Sequence, residues 1–122
     1  MKIKLATIAD SDAIKKFIKI NWSKKNHIFT KNDLFYNYEM CPFKKPNFAI
    51  ALKDSKIIGI LGFTLNRDRI KDSDLFLVMF RVIKFHQSYA AGVELIKFVS
   101  KLTNAGIHTI GANEKILAYY KF

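Results

Sequence analysis

The stretch Leu75-Phe76-Leu77-Val78-Met79-Phe80-Arg81-Val82-Ile83, followed by a polar connection over 84–91 and then by Gly92, decides the fold. Leu75 to Phe80 are all apolar, with no alternation. A strand reads that way when both of its faces are covered, as in the middle of a sheet flanked by helices. After the connection, Val93, Leu95, Ile96, Phe98, Val99 and Leu102 recur at helical spacing, which predicts a helix from about Gly92 to Thr103. Asn104 and Gly106 supply its stop. Ile107 to Ala112 reads as another short strand. Strand, helix, strand in this order is a right-handed crossover that places the two strands parallel.

Upstream, Asn47 to Lys53 sets Phe48, Ile50 and Leu52 on one face of a strand and Ala49 and Ala51 on the other. Asp54-Ser55-Lys56 is a polar turn, and Ile57 to Leu65 returns to complete a hairpin. Gly59 and Gly62 interrupt that second strand and mark either bulges or close packing. Asn66 to Ser73 is a charged loop. Lys2 to Ala6 alternates with period two, as a half-buried strand does. Asp10 or Ser11 then caps a helix whose apolar face carries Ala13, Ile14, Phe17, Ile18 and Trp22. Thr30 and Asp33 open a short second helix with Leu34, Phe35 and Tyr38, which ends before Pro42 and Pro46. Asn113 caps a last helix that runs through Tyr120. The expected fold is therefore α/β (α+β), in the order β-α-α-β-β-β-α-β-α. Its central sheet is mixed and mostly antiparallel, with helices on both faces.

At 122 residues, half of them hydrophobic, the chain suits one domain with a packed core and excludes a disordered tail. Its formal net charge of +11 attracts polyanions: nucleic acid, a nucleotide-bearing cofactor or an anionic surface. The cations are mostly lysines, and the arginines are Arg67, Arg69 and Arg81. Base-specific readout leans on arginine forks, so nucleic acid is the weaker expectation. Cys41 is the one cysteine, which excludes an internal disulfide and a cysteine zinc cluster and fits a reducing cytoplasm. The N-terminus is not a secretory signal, and no apolar run reaches the ~20 residues that span a bilayer.

The connection into the helix carries the chemistry. The first backbone N–H groups of a helix lack partners within it, and the dipole there favours negative charge. In Gln87-Ser88-Tyr89-Ala90-Ala91-Gly92 the small residues would let backbone amides approach a diphosphate, with Lys84, His86 and Gln87 as further donors.

This loop and the element order resemble the GNAT superfamily of acyl-CoA N-acyltransferases. That family carries (Gln/Arg)-x-x-Gly-x-(Gly/Ala) between its fourth strand and third helix, and here Gln87-x-x-Ala90-x-Gly92 stands in that place, with Val82 five residues before Gln87. Ala90 replaces the first motif glycine, and the usual proline after the strand is missing. The resemblance implies acetyl-CoA or another acyl-CoA as co-substrate, its diphosphate held by residues 87–93 (Gln87 to Val93) and its pantetheine arm paired with Phe80, Arg81 and Val82. It also implies that Asn113 opens the last helix and contacts the cofactor, and that Tyr120 is the acid that protonates the departing thiolate, with Tyr119 as its rival. Trp22 and His27 would border the acceptor, a small-molecule primary amine. The stretches around Trp22 and Ile58 are similar to acyltransferases of surface-polysaccharide gene clusters, which implies an amino sugar.

The general base is open among His27, His86 and a water chain from Glu39, while His108 falls in a strand. The family would continue past Phe122 with two more strands, so a strand at 107–112 would form an edge that a homodimer covers. Two other readings stand beside the enzyme. One is a GNAT-like domain that binds CoA or a protein partner without turnover. The other is a basic nucleic-acid-binding module.

Overall fold

The computed structural model describes residues 1–21, 47–84 and 88–109. Strands β1 (Lys2–Leu5), β2 (Phe48–Lys53), β3 (Lys56–Leu65), β4 (Leu75–Val82) and β5 (Ile107–Thr109) form a sheet in that spatial order. β1–β2, β2–β3 and β3–β4 are antiparallel, and β4–β5 is parallel. Helix α1 spans Ser11–Asn21 and helix α2 spans Ser88–Ser100. The expected mixed sheet with a helix on either face is what forms. The second and last expected helices, at 30–38 and 113–120, lie outside the described residues.

Strands β2, β3 and β4 divide their side chains between two cores because successive residues point to opposite faces. Phe48, Ile50, Ile60 and Met79 meet Ile14, Phe17 and Ile18 of α1. Ala49, Ala51, Leu61, Phe63, Leu75 and Leu77 meet Ala91, Leu95, Ile96 and Val99 of α2. The two faces read from β2 are the two observed. β4 is covered on both sides, so its apolar run needs no alternation.

The start of α1 differs in detail from expectation. A single 3-10 turn, Ile8–Asp10, precedes it. The Asp10 carboxylate reaches back to accept from the Thr7 backbone N–H at 2.8 Å and from its hydroxyl at 3.0 Å. Lys4 Nζ stands 3.0 Å from the same oxygen. Ser11 is a buried residue inside the helix rather than its cap, and Ala13 is exposed.

The β2–β3 turn needs only Asp54 and Ser55, with Lys56 already in β3. Both turn residues have positive φ, 51° and 64°. That pair of angles suits the right-handed twist of a two-residue hairpin. The loop 66–74 contains a further 3-10 turn, Ile70–Asp72. It is pinned from within by Ser73, whose hydroxyl accepts from Arg67 N at 3.1 Å and donates toward Arg69 O at 2.8 Å. Thr103, after α2, donates its hydroxyl to Ser73 O and accepts from Ala105 N at 3.0 Å. These bonds tie the entry of β4 to the entry of β5.

Candidate functional site

Both glycine interruptions in β3 sit beside register shifts. Gly59 opposes Ala51 while Ile57 opposes Leu52, so Ile58 is the extra residue of the first bulge. Gly62 opposes Met79 while Phe63 opposes Leu77, so Val78 is the extra residue of the second, on β4. A bulge bends its strand and breaks the ladder locally. Leu77 belongs to the α2-side core, Met79 to the α1-side core, and Phe80 and Val82 pack again on the α2 side. The first half of β4, Leu75–Leu77, carries the parallel pairing with β5. The second half, beyond the bulge, keeps its pairing with β3 as far as Val82. The glycines make room for this. A Cβ on Gly59 would come within 3.1 Å of Leu95 Cδ1 and 3.2 Å of Val82 Cγ2.

The helix after β4 begins earlier than the sequence suggests. It starts at Ser88, four residues before Gly92, because residues 88–91 have no breaker among them and pack as a helical turn. This corrects the reading of 88–91 as part of the connection. Ser88, Tyr89 and Ala90 form the first turn, with Ser88 half-buried and Tyr89 and Ala90 exposed. Their end of the helix carries the outward N–H groups and the positive pole. Ala91 and Gly92 are buried, Ala91 in the α2-side core. Val93 is half-buried on the same helix. Arg81 and Lys84 are exposed between the bulge and the helix, and no acidic side chain lies in the first turn of α2. Phe80 and Val82 are half-buried in the α2-side core. Of the other residues singled out from the sequence, Gln87, Asn113, Tyr120, Trp22 and His27 lie outside the described residues, as do His86, Glu39, Tyr119 and Cys41.

On the α1 side, a groove of about 470 Å³ runs between the helix and the β2–β3 turn. Phe17, Ile20, Ile57 and Ile83 give it an apolar floor, and Lys16 and Lys56 stand among its lining residues. Asn21 also lines it, directly before Trp22.

A polar cluster that the sequence did not disclose lies where β4 and β5 begin. Asp74 Oδ1 accepts from Gly106 N at 3.1 Å and stands 3.2 Å from His108 Nε2. Asp74 Oδ2 accepts from Asn66 Nδ2 at 3.2 Å, and Asp74 N donates to Asn66 Oδ1 at 2.9 Å. The His108 ring stacks on Phe76, its neighbour across the parallel pair, with centroids 5.1 Å apart. Hydrogen bonding from His108, followed by that from Gly106, holds the Asp74 carboxyl below the usual aspartate value. A signal for this cluster existed: strands at 75–83 and 107–112 were expected side by side. The register that brings residue 74 to residues 106 and 108 was not expected. No group of three or more potential metal ligands occurs among the described residues, and no described helix is long and apolar enough to cross a membrane.

No protein-family model matches this sequence, and no curated protein matches it. Solved structures do match. An aminoglycoside 6'-N-acetyltransferase from Enterococcus faecium superposes with a TM-score of 0.60 at 12% identity, over 98% of this chain and 57% of that one. AAC(6')-Iy, in complex with the bisubstrate analog CoA-S-monomethyl-acetylneamine, gives 0.66 at 16% identity over 98% and 84%. A possible acetyltransferase from Clostridium difficile 630 gives 0.62 at 17% identity over 96% and 83%. The chain spans 57% and 66% of the first two acetyltransferases it matches. The fold is that of the GNAT acyltransferases.

Proposed function

We propose that this domain binds acetyl-CoA, or a related acyl-CoA, and transfers the acyl group to a primary amine. The observation that carries the reading is the bulge at Val78 in β4, the strand followed in the chain by a helix opening on Ser88-Tyr89-Ala90. A diphosphate would take the N–H groups of that first turn, with Gln87 beside it and Arg81 and Lys84 adding charge. The chain's net charge of +11 raises the encounter rate with such a ligand. The pantetheine arm would lie along Phe80, Arg81 and Val82, bringing the thioester to the bulge. There an amine attacks the carbonyl, backbone N–H groups polarise it, and an acid protonates the thiolate. Tyr120 is our choice for the acid and Asn113 for a further cofactor contact. The acceptor would enter from the α1 side, where Asn21, next to Trp22 in the sequence, lines the apolar groove; His27 follows in the same stretch of sequence. That AAC(6')-Iy holds a CoA-linked aminoglycoside analog supports an amino sugar as acceptor class. A second copy pairing along β5, the last strand of the described sheet, belongs to the same reading. Light scattering that finds a monomer at micromolar concentration would refute that part.

Thermal unfolding with acetyl-CoA tests the cofactor. Saturation at a hundred times the dissociation constant should stabilise the fold by ~2.7 kcal/mol, a rise of about 10 °C for a chain this size. No shift with acetyl-CoA, propionyl-CoA or free CoA refutes the reading. A shift without acetyl transfer to amino sugars, polyamines or peptides leaves a CoA-binding domain and refutes the enzyme.

A further inference from the structure

We infer that His108 is the general base that deprotonates the acceptor amine, with Asp74 as its positioning residue; this rests on the acyltransferase reading above. The tautomer follows from the contacts. An ionised carboxylate can only accept, so the Nε2 that stands 3.2 Å from Asp74 Oδ1 carries the proton. In the neutral ring Nδ1 is then a bare acceptor, and among the described residues it has no partner. Asp74 is itself fixed by Gly106 N and Asn66, and Phe76 supports the ring from one side. The imidazole therefore has a set tautomer, a set plane and an exposed edge, with its side chain 49% accessible. A histidine so held can take a proton at Nδ1 without giving up its bond to Asp74.

Its place fits the task. Leu75 and Leu77 point into the α2-side core, so Phe76, between them, and the stacked His108 stand on the opposite face, the face of α1. In that reading the cofactor reaches the bulge from the α2 end, and the amine approaches from the sheet's α1 face. Phe76 precedes Val78 by two residues, a distance of about 7 Å along a strand. The acceptor's own reach, or a short chain of waters, would span that gap. In the step, the amine nitrogen bonds to the thioester carbonyl carbon. The C–S bond breaks and CoA leaves as a thiolate that takes a proton from an acid or from water. The proton lost by nitrogen goes to His108 Nδ1. Among the described residues, Asp74 is the charged group within ion-pair distance of His108.

The test uses the full chain, acetyl-CoA, and neamine, glucosamine, spermidine and an alanine-initiated peptide as acceptors, with release of the CoA thiol as readout. His108→Gln should lower kcat at least ~100-fold. It should leave the acetyl-CoA thermal shift unchanged and abolish the fall in rate on acidification. Asp74→Asn should lower kcat less, displace the pH–rate profile, and keep KM for acetyl-CoA. A His108→Gln enzyme within threefold of the parent with the same pH profile overturns the inference and leaves the acyltransferase reading standing. No transfer by the parent enzyme to any of the amines overturns both. Should His108→Gln fail to fold, nitrogen chemical shifts of the parent's imidazole decide. They should show a protonated Nε2 and a bare Nδ1 at pH 8, and the reverse tautomer refutes the assignment.

Discussion

Gly62→Ala should destabilise the domain although it adds one methyl group to a buried site. A Cβ built on Gly62 lies 2.7 Å from Phe48 Cε1 and 3.2 Å from Cδ1 and Cζ. Carbon atoms pack at ~3.5–4.0 Å, so the ring or the strand must give by about 1 Å. The ring has little freedom to do so. Phe48 is 0% exposed and sits among Ile14, Ile18, Ile50, Ile60 and Met79, and a core packed at crystal-like density transmits strain rather than absorbing it. Overpacking of this kind costs ~1–3 kcal/mol. Restricting the unfolded chain by replacing glycine returns ~0.4–1 kcal/mol. The net expectation is a loss of about 1–2 kcal/mol. Urea unfolding followed by circular dichroism should show a lower midpoint with an unchanged slope. Phe48→Leu removes the clashing ring edge while opening a small cavity of its own. The double variant should be more stable than the sum of the single losses allows, by ~1 kcal/mol or more. A Gly62→Ala midpoint equal to the parent's, or strictly additive losses, would refute the proposed contact between residues 62 and 48.

Three further outcomes follow from single contacts. Thr103→Val should cost ~1–3 kcal/mol in the same assay, because it strips the buried Ser73 carbonyl and Ala105 N–H of their partner; Thr103→Ser should restore most of that loss. Ser11→Ala should be neutral or stabilising by up to ~1 kcal/mol, since Ser11 Oγ is buried with no partner among the described residues, and a loss above that size would refute it. The third outcome concerns acid. Desolvation raises the Asp10 carboxyl, but the Thr7 backbone N–H, Lys4 and the Thr7 hydroxyl outweigh it and leave the pKa below its usual value. A lowered folded-state pKa gives stability that is complete above the unfolded-state value and is lost as pH falls through the folded one. Asp10→Asn should therefore weaken the fold by ~0.5–1 kcal/mol at pH 7 and flatten the loss of stability below about pH 4. Equal acid sensitivity in parent and variant would contradict this.

The fold was largely legible because it rests on local periodicity. The unbroken run at Leu75–Phe80 announced a doubly covered strand, and the Phe48/Ala49 alternation named both cores correctly. The Gly59 and Gly62 interruptions marked the bulges, since a missing side chain there serves the neighbours that crowd it. The start of α2 was misplaced by four residues. Gly92 looked like the opening of a helix, but Ser88 to Ala91 already form its first turn and Ala91 is buried in the α2-side core, a contact that no local signal encodes. The capping of α1 was misread for a related reason. Asp10 satisfies Thr7 behind it and pairs with Lys4 of β1, a choice made by the docking of the strand.

The site divides along the same line. The small residues of the first turn of α2 could be read from sequence as a proposed anion site, because such a site needs only backbone N–H groups and little side-chain bulk. The Asp74–His108 pair could not, since 34 positions separate its members. Residue types and spacing determined which segments become strands and helices and which faces they bury, for those depend on neighbours within a few residues. Tertiary structure alone decided the parallel register of β4 and β5 and the bulge of β4 at Val78. It therefore also decided which carboxylate holds which imidazole, because register is a property of two segments brought together and neither segment encodes it alone.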